Sequence, residues 1–108
     1  MKGMLIRLAP IALIGLLAAP ASQASDGETL YQEVGCSACH QVEAKRMGPN
    51  YKAVSAKYKG QAGAADALFK KVREGGAGVW GNIPMPPHPA DRVSDEELHT
   101  IVNWILTL

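Results

Sequence analysis

The sequence predicts an all-α domain of about four short helices, on three observations. Apolar residues recur at spacings of three and four in successive segments, a serine and glutamate capping pattern opens the last of them, and no segment alternates with the two-residue period of a half-buried strand. In the first helix Asp26 is the expected cap, with Leu30 and Val34 four residues apart and Tyr31 beside them, running toward Gly35 just before Cys36. Gly48-Pro49 breaks the chain, and Tyr51, Val54 and Tyr58 then follow at helical spacing as a second short helix. Ala65, Leu68, Phe69 and Val72 form the stripe of a third, ended by basic Lys70, Lys71 and Arg73 and by Gly75-Gly76. From Gly78 to Pro89 neither period holds, and Pro84, Pro86, Pro87 and Pro89 remove backbone donors and fix φ, so a stiff extended loop is expected. Ser94 with Glu97 three residues on makes a capping box, and Leu98, Ile101, Val102 and Ile105 are the buried stripe of a fourth helix running nearly to Leu108.

Charge and length narrow the function classes. The chain has 108 residues, 11 Lys and Arg against 10 Asp and Glu, and 6% aromatic residues, which suits one small domain. Residues 1–24 carry Lys2 and Arg7 and no acid, then the apolar run from Leu8 to Ala19, then small residues ending Ser22-Gln23-Ala24. That is the pattern of a secretory signal peptide, with the cut expected after Ala24 rather than after Ala21. A spanning anchor is disfavoured, because the run falls short of roughly 20 apolar residues and Pro10 interrupts it. The mature domain is thus residues 25–108, exported to the periplasm with no membrane insertion after cleavage, and expected to be a monomer. It is nearly neutral, with no run of like charge, so nucleic acid and anionic membrane surfaces are excluded as partners.

A mature chain of this length sits where a lone hydrophobic core gives little margin, and domains of this size commonly add a metal, a cofactor or disulfides. Only Cys36 and Cys39 are available for crosslinking, and a bridge between them would close too small a loop to restrain much of the unfolded chain. Cys36-Ser37-Ala38-Cys39-His40 is instead the C-x-x-C-H pattern of covalent haem attachment, in which two thiols on one turn bond the vinyl groups and the adjacent imidazole reaches the iron. Zinc would need a fourth ligand from His88 or His99 and there is no second C-x-x-C. A redox dithiol would need a βαβ context the sequence lacks. Haem c with its iron also provides apolar burial that the sequence is short of. With His40 on one face, the candidates for the other are Met47, Met85, His88 and His99. Met85 stands among prolines, which suits a thioether held at one distance from a metal, and it is preferred. His99, beside the stripe of the last helix, is expected to be exposed to solvent.

Further stretches carry a family resemblance: Gly48-Pro49 with Tyr51-Lys52, Gly60-Gln61-Ala62-Gly63-Ala64, Gly78-Val79-Trp80-Gly81, Ile83-Pro84-Met85-Pro86-Pro87 and Val93-Ser94-Asp95. With the Cys36 to His40 motif, they make nearly all of residues 25–108 resemble the small bacterial class I c-type cytochromes. The closest type is the short periplasmic one that donates electrons to nitrite reductase and terminal oxidases. The resemblance implies the class I cytochrome c fold, about four short helices around one covalently bound haem, and His40 and Met85 as axial ligands. It also implies a Pro49 carbonyl accepting from the His40 ring, Trp80 donating to a haem propionate, and Lys71 as a cationic partner there. The function it implies is one-electron carriage, without catalysis, in transient complexes with nitrite reductase, a terminal oxidase or a quinol-oxidising complex. A haem c subunit of a periplasmic dehydrogenase or reductase is the alternative, and a gas sensor with a labile Met85 a more distant one. Two features depart from the pattern. His88 stands where relatives often carry Asn, and Pro89-Ala90-Asp91-Arg92 is longer than in the shortest members.

Overall fold

A computed structural model of the protein describes Gly3, Pro10 and residues 23–108. Four α-helices follow one another: α1 (Gln23–Glu33), α2 (Tyr51–Tyr58), α3 (Ala64–Glu74) and α4 (Asp95–Ile105), with a 3-10 turn at Cys36–Ala38. Among the described residues no strand forms, and the one isolated bridge pairs Gly76 with Met85 in antiparallel sense.

The caps explain where the helices begin. Asn50 accepts at 2.7 Å from the Ala53 N–H at the start of α2. Ser94 and Glu97 form the expected reciprocal box at α4, with the Ser94 hydroxyl accepting from Glu97 N–H at 3.1 Å and the Glu97 carboxylate from Ser94 N–H at 2.9 Å. Gly75 ends α3 after the basic turn of Lys71 and Arg73, as the sequence suggests.

The start of α1 differs from expectation. The helix begins at Gln23, so Asp26 is not its cap but an acidic residue of its first turn, where a carboxylate favours the exposed N–H groups and the helix dipole. The expected cut after Ala24 falls within that first turn; the remainder of the expected signal segment, apart from Gly3 and Pro10, lies outside the described residues. The loop after α3 is also less extended than its prolines suggest. Gly76 and Met85 exchange both backbone hydrogen bonds, at 3.0 and 2.8 Å, and close the glycine-rich stretch between them into a folded excursion.

The core is one cluster to which α4 contributes Leu98, Ile101, Val102, Trp104 and Ile105. Leu98, Ile101 and Val102 are almost wholly buried, a stripe worth about 1.5–3 kcal/mol for each side chain relative to exposure. Helix α1 lies across α4 with Tyr31 stacked on Trp104, ring centres 5.1 Å apart, and Tyr51 meets Trp104 edge-on at 5.7 Å. The buried Ser55 hydroxyl is satisfied by the Leu108 carbonyl at 2.9 Å, which ties α2 to the C-terminus.

Candidate functional site

Between these helices lies a cleft walled by Val54 of α2, Leu68 and Val72 of α3, and Leu98, Ile101 and Val102 of α4. The sequence-expected residues Cys36, Cys39, His40, Pro49, Lys71, Trp80 and Met85 all line it, from five separate stretches of chain. Met47 and His88 line it as well, whereas His99 does not: it is exposed and stacks on Phe69 at 4.4 Å.

One wall is the Cys36 to His40 turn. Gly35 adopts φ 92°, and the turn that follows is held by Cys39 N–H and His40 N–H, both donating to the Cys36 carbonyl, at 3.1 and 3.0 Å. Both cysteines are half-buried and not bridged to each other. Burial pushes the Cys36 thiol up, and a hydrogen bond with Tyr51 offsets this only in part; burial likewise holds the Tyr51 phenol far above its ordinary range, so both groups are neutral.

The His40 ring is buried and oriented from three sides. Its Nδ1 lies 2.9 Å from the Pro49 carbonyl; a carbonyl only accepts, so Nδ1 carries the proton and Nε2 keeps its lone pair for a metal. Tyr51 stacks on the ring at 5.1 Å and 17°. Gly48 packs against the other side so closely that a Cβ there would overlap three ring atoms. The Pro49 bond is implied by the family resemblance alone, and nothing in the sequence points to the Gly48 contact or the Tyr51 stack; the one local signal, Gly48-Pro49, looks like a chain break.

Met85 also lines the cleft, half-buried, its backbone pinned to Gly76 by the paired bonds. Gly75 makes this approach possible, since its φ is +69° and a Cβ there would strike the Met85 carbonyl. Lys71 reaches the same rim, half-buried, its Nζ 2.8 Å from where a Gly76 Cβ would stand. Trp80 is 38% exposed, with the Lys57 ammonium 5.7 Å from its ring centre. His88 is buried, and its Nδ1 has no hydrogen-bond partner.

Two cysteines on one turn, an imidazole whose Nε2 is left available and a thioether lining the same apolar cleft fit a covalently held metal macrocycle. Helices wrapped on such a cleft define a class I c-type cytochrome, a carrier of electrons. The chain belongs to the cytochrome c family, whose model matches residues 24–108, and it holds one covalently attached haem c with its iron. It is 52% identical over 81 residues to cytochrome c-551 of Azotobacter vinelandii, covering 75% of this chain and 95% of that one. Against cytochrome c-551 of Pseudomonas aeruginosa it is 46% identical over 103 residues, 91% of this chain and 96% of the relative. The crystal structure of wild-type Nitrosomonas europaea cytochrome c552 superimposes with a TM-score of 0.68 at 44% identity, covering 75% of this chain and 98% of that one.

Proposed function

We propose that the protein is a periplasmic one-electron carrier, with His40 and Met85 as the two axial ligands, that shuttles electrons between respiratory redox enzymes. The observation that carries this reading is the pair of fixed donors on one cleft: His40 oriented by Pro49 O at 2.9 Å, and Met85 held by its bridge to Gly76. The haem iron supplies a reversible one-electron change. Held by both His40 and Met85, the iron would have no place for substrate or O₂, and the chemistry it would supply is outer-sphere electron transfer. Methionine favours the reduced state and the apolar cleft disfavours the extra positive charge of the oxidised one, so both raise the potential. Trp80 and Lys71, both on the cleft rim, are assigned to the propionates, whose negative charge they would compensate.

Met47, Val79 and Ile83 stand more than half exposed, and all three line the cleft. A small apolar rim of this kind suits brief, weak encounters with nitrite reductase, a terminal oxidase or a quinol-oxidising complex. Export rests on the basic and then apolar start of the sequence. No helix among the described residues is long and apolar enough to cross a membrane.

The test is CO binding and spin state of the holoprotein. The unmutated ferrous protein should take up CO slowly and incompletely near neutral pH, because Met85 must first leave. Met85→Ala should bind CO readily, shift the ferric iron toward high spin and lower the potential. Rapid, complete uptake by the unmutated protein would overturn the closed-carrier reading; a Met85→Ala protein indistinguishable from the parent would move the ligand to Met47 or His88.

A further inference from the structure

We infer that Arg73 is the positioning residue for the Met85 loop: its guanidinium clamps the chain from His88 to Val93 onto α3 and so fixes where the Met85 thioether stands. The inference rests on Met85 as axial ligand. Arg73 Nη1 donates to the His88 carbonyl at 3.0 Å and to the Val93 carbonyl at 2.6 Å, so one nitrogen spans both ends of the segment Pro89-Ala90-Asp91-Arg92. Nη2 pairs with the Asp95 carboxylate at 2.5 Å, at the first turn of α4. The guanidinium carbon lies over the Phe69 ring, 5.1 Å from its centre, and Phe69 stacks in turn on His99 of α4. With 17% of its side chain exposed, Arg73 is held on every side, unlike Asp95 at 74%.

The clamp reaches Met85 through a stiff tether. Between Met85 and His88 the chain is Pro86-Pro87, whose ring-locked φ angles transmit the position of His88 with little slack. His88 is fixed by its N–H to the Val72 carbonyl at 3.1 Å and by its carbonyl to Arg73. The other side of Met85 is fixed by Gly76. Met85 is therefore held through Gly76, just past the end of α3, and the far side of the loop through Val72 and Arg73 of α3, with Arg73 supplying side-chain hydrogen bonds at both ends of the segment from His88 to Val93. A planar fork with several donors can serve two carbonyls and a carboxylate at once; a lysine ammonium on a flexible stem cannot keep all three in register.

The experiment measures imidazole affinity of the ferric holoprotein, with Met85→Ala as the opened reference. Imidazole binds only when Met85 is away, so its apparent affinity scales with the small open fraction, and Arg73→Gln is expected to raise it about tenfold. Arg73→Lys should fall between, at about threefold, and Asp95→Asn, which spares both carbonyl contacts, should stay at the parent value. In the Met85→Ala background Arg73→Gln should add nothing, since there is no thioether left to position. An unchanged affinity in Arg73→Gln, or an equal rise in both backgrounds, overturns the inference while Met85 remains the ligand. If Met85→Ala binds imidazole no more tightly than the parent, the ligand reading itself fails, a separate result. Should Arg73→Gln not accumulate as holoprotein, Arg73→Lys decides: parental affinity refutes the clamp and an intermediate rise supports it.

Discussion

Gly48 sets the position of the His40 ring as firmly as the Pro49 carbonyl does, because any side chain would occupy the space the imidazole needs. Gly48→Ala is therefore expected to displace the ring, break the bond from Nδ1 to Pro49, and destabilise the holoprotein by about 1–3 kcal/mol, the usual cost of overpacking. Chemical denaturation followed through the haem absorbance would measure it; a midpoint equal to the parent's would show that the ring can move aside without loss. At this scale the site was partly legible. The reading of Cys36, Cys39 and His40 rests on chemistry written in consecutive residues, and the proposal of Met85 on its place in a run of prolines. The supports do not: Gly48 looks like a breaker, Tyr51 like a core residue and Arg73 like a basic helix end, and each has its role only because a distant residue packs on it.

Among the elements, α4 carries the most complete local signal and the clearest pH dependence. The Glu97 carboxylate is held below its ordinary value of 4.5, first by the Ser94 backbone N–H and then by the Ser94 side chain. A carboxyl lowered in the folded state contributes stability that is fully present above about 4.5 and is lost as pH falls through the lowered value. Glu97→Gln keeps an acceptor without the charge, so its unfolding midpoint should lie below the parent's near neutral pH and converge on it as the pH falls below 4.5, because only the parent loses the charge-dependent part. Parallel acid profiles for the two proteins would remove Glu97 from the account. Ser94→Ala, which deletes the cap itself, should cost about 1 kcal/mol near neutral pH. Helices α2, α3 and α4 fall where spacing and caps put them, because those signals act within a turn or two. The start of α1 did not, since a lone Asp serves as well inside the first turn as at the cap.

For the whole molecule, the decisive fact is that the cleft cuts into the core. Leu98, Ile101 and Val102 line the cleft and belong to the buried cluster, so the cleft and the core share one wall. Haem should stay with the polypeptide on denaturing electrophoresis, because Cys36 and Cys39 bond it covalently. Replacing both cysteines by Ala should then leave a chain with too small a core to fold cooperatively: little holoprotein, and helical circular dichroism well below the parent's. A double variant that keeps the parental spectrum and melting transition without haem would show that the helices suffice alone.

By itself the sequence determined the helical class, three of the four helix starts, the haem and its attachment turn, since each depends on residues within a few positions of one another. The tertiary structure decided what joins distant parts of the chain: Gly48 against His40, Gly76 paired with Met85, and Arg73 spanning His88 to Val93. Those contacts follow from the way α1 and α3 settle on α4, and packing of that kind is set by shape and burial summed over the core, which no local spacing records.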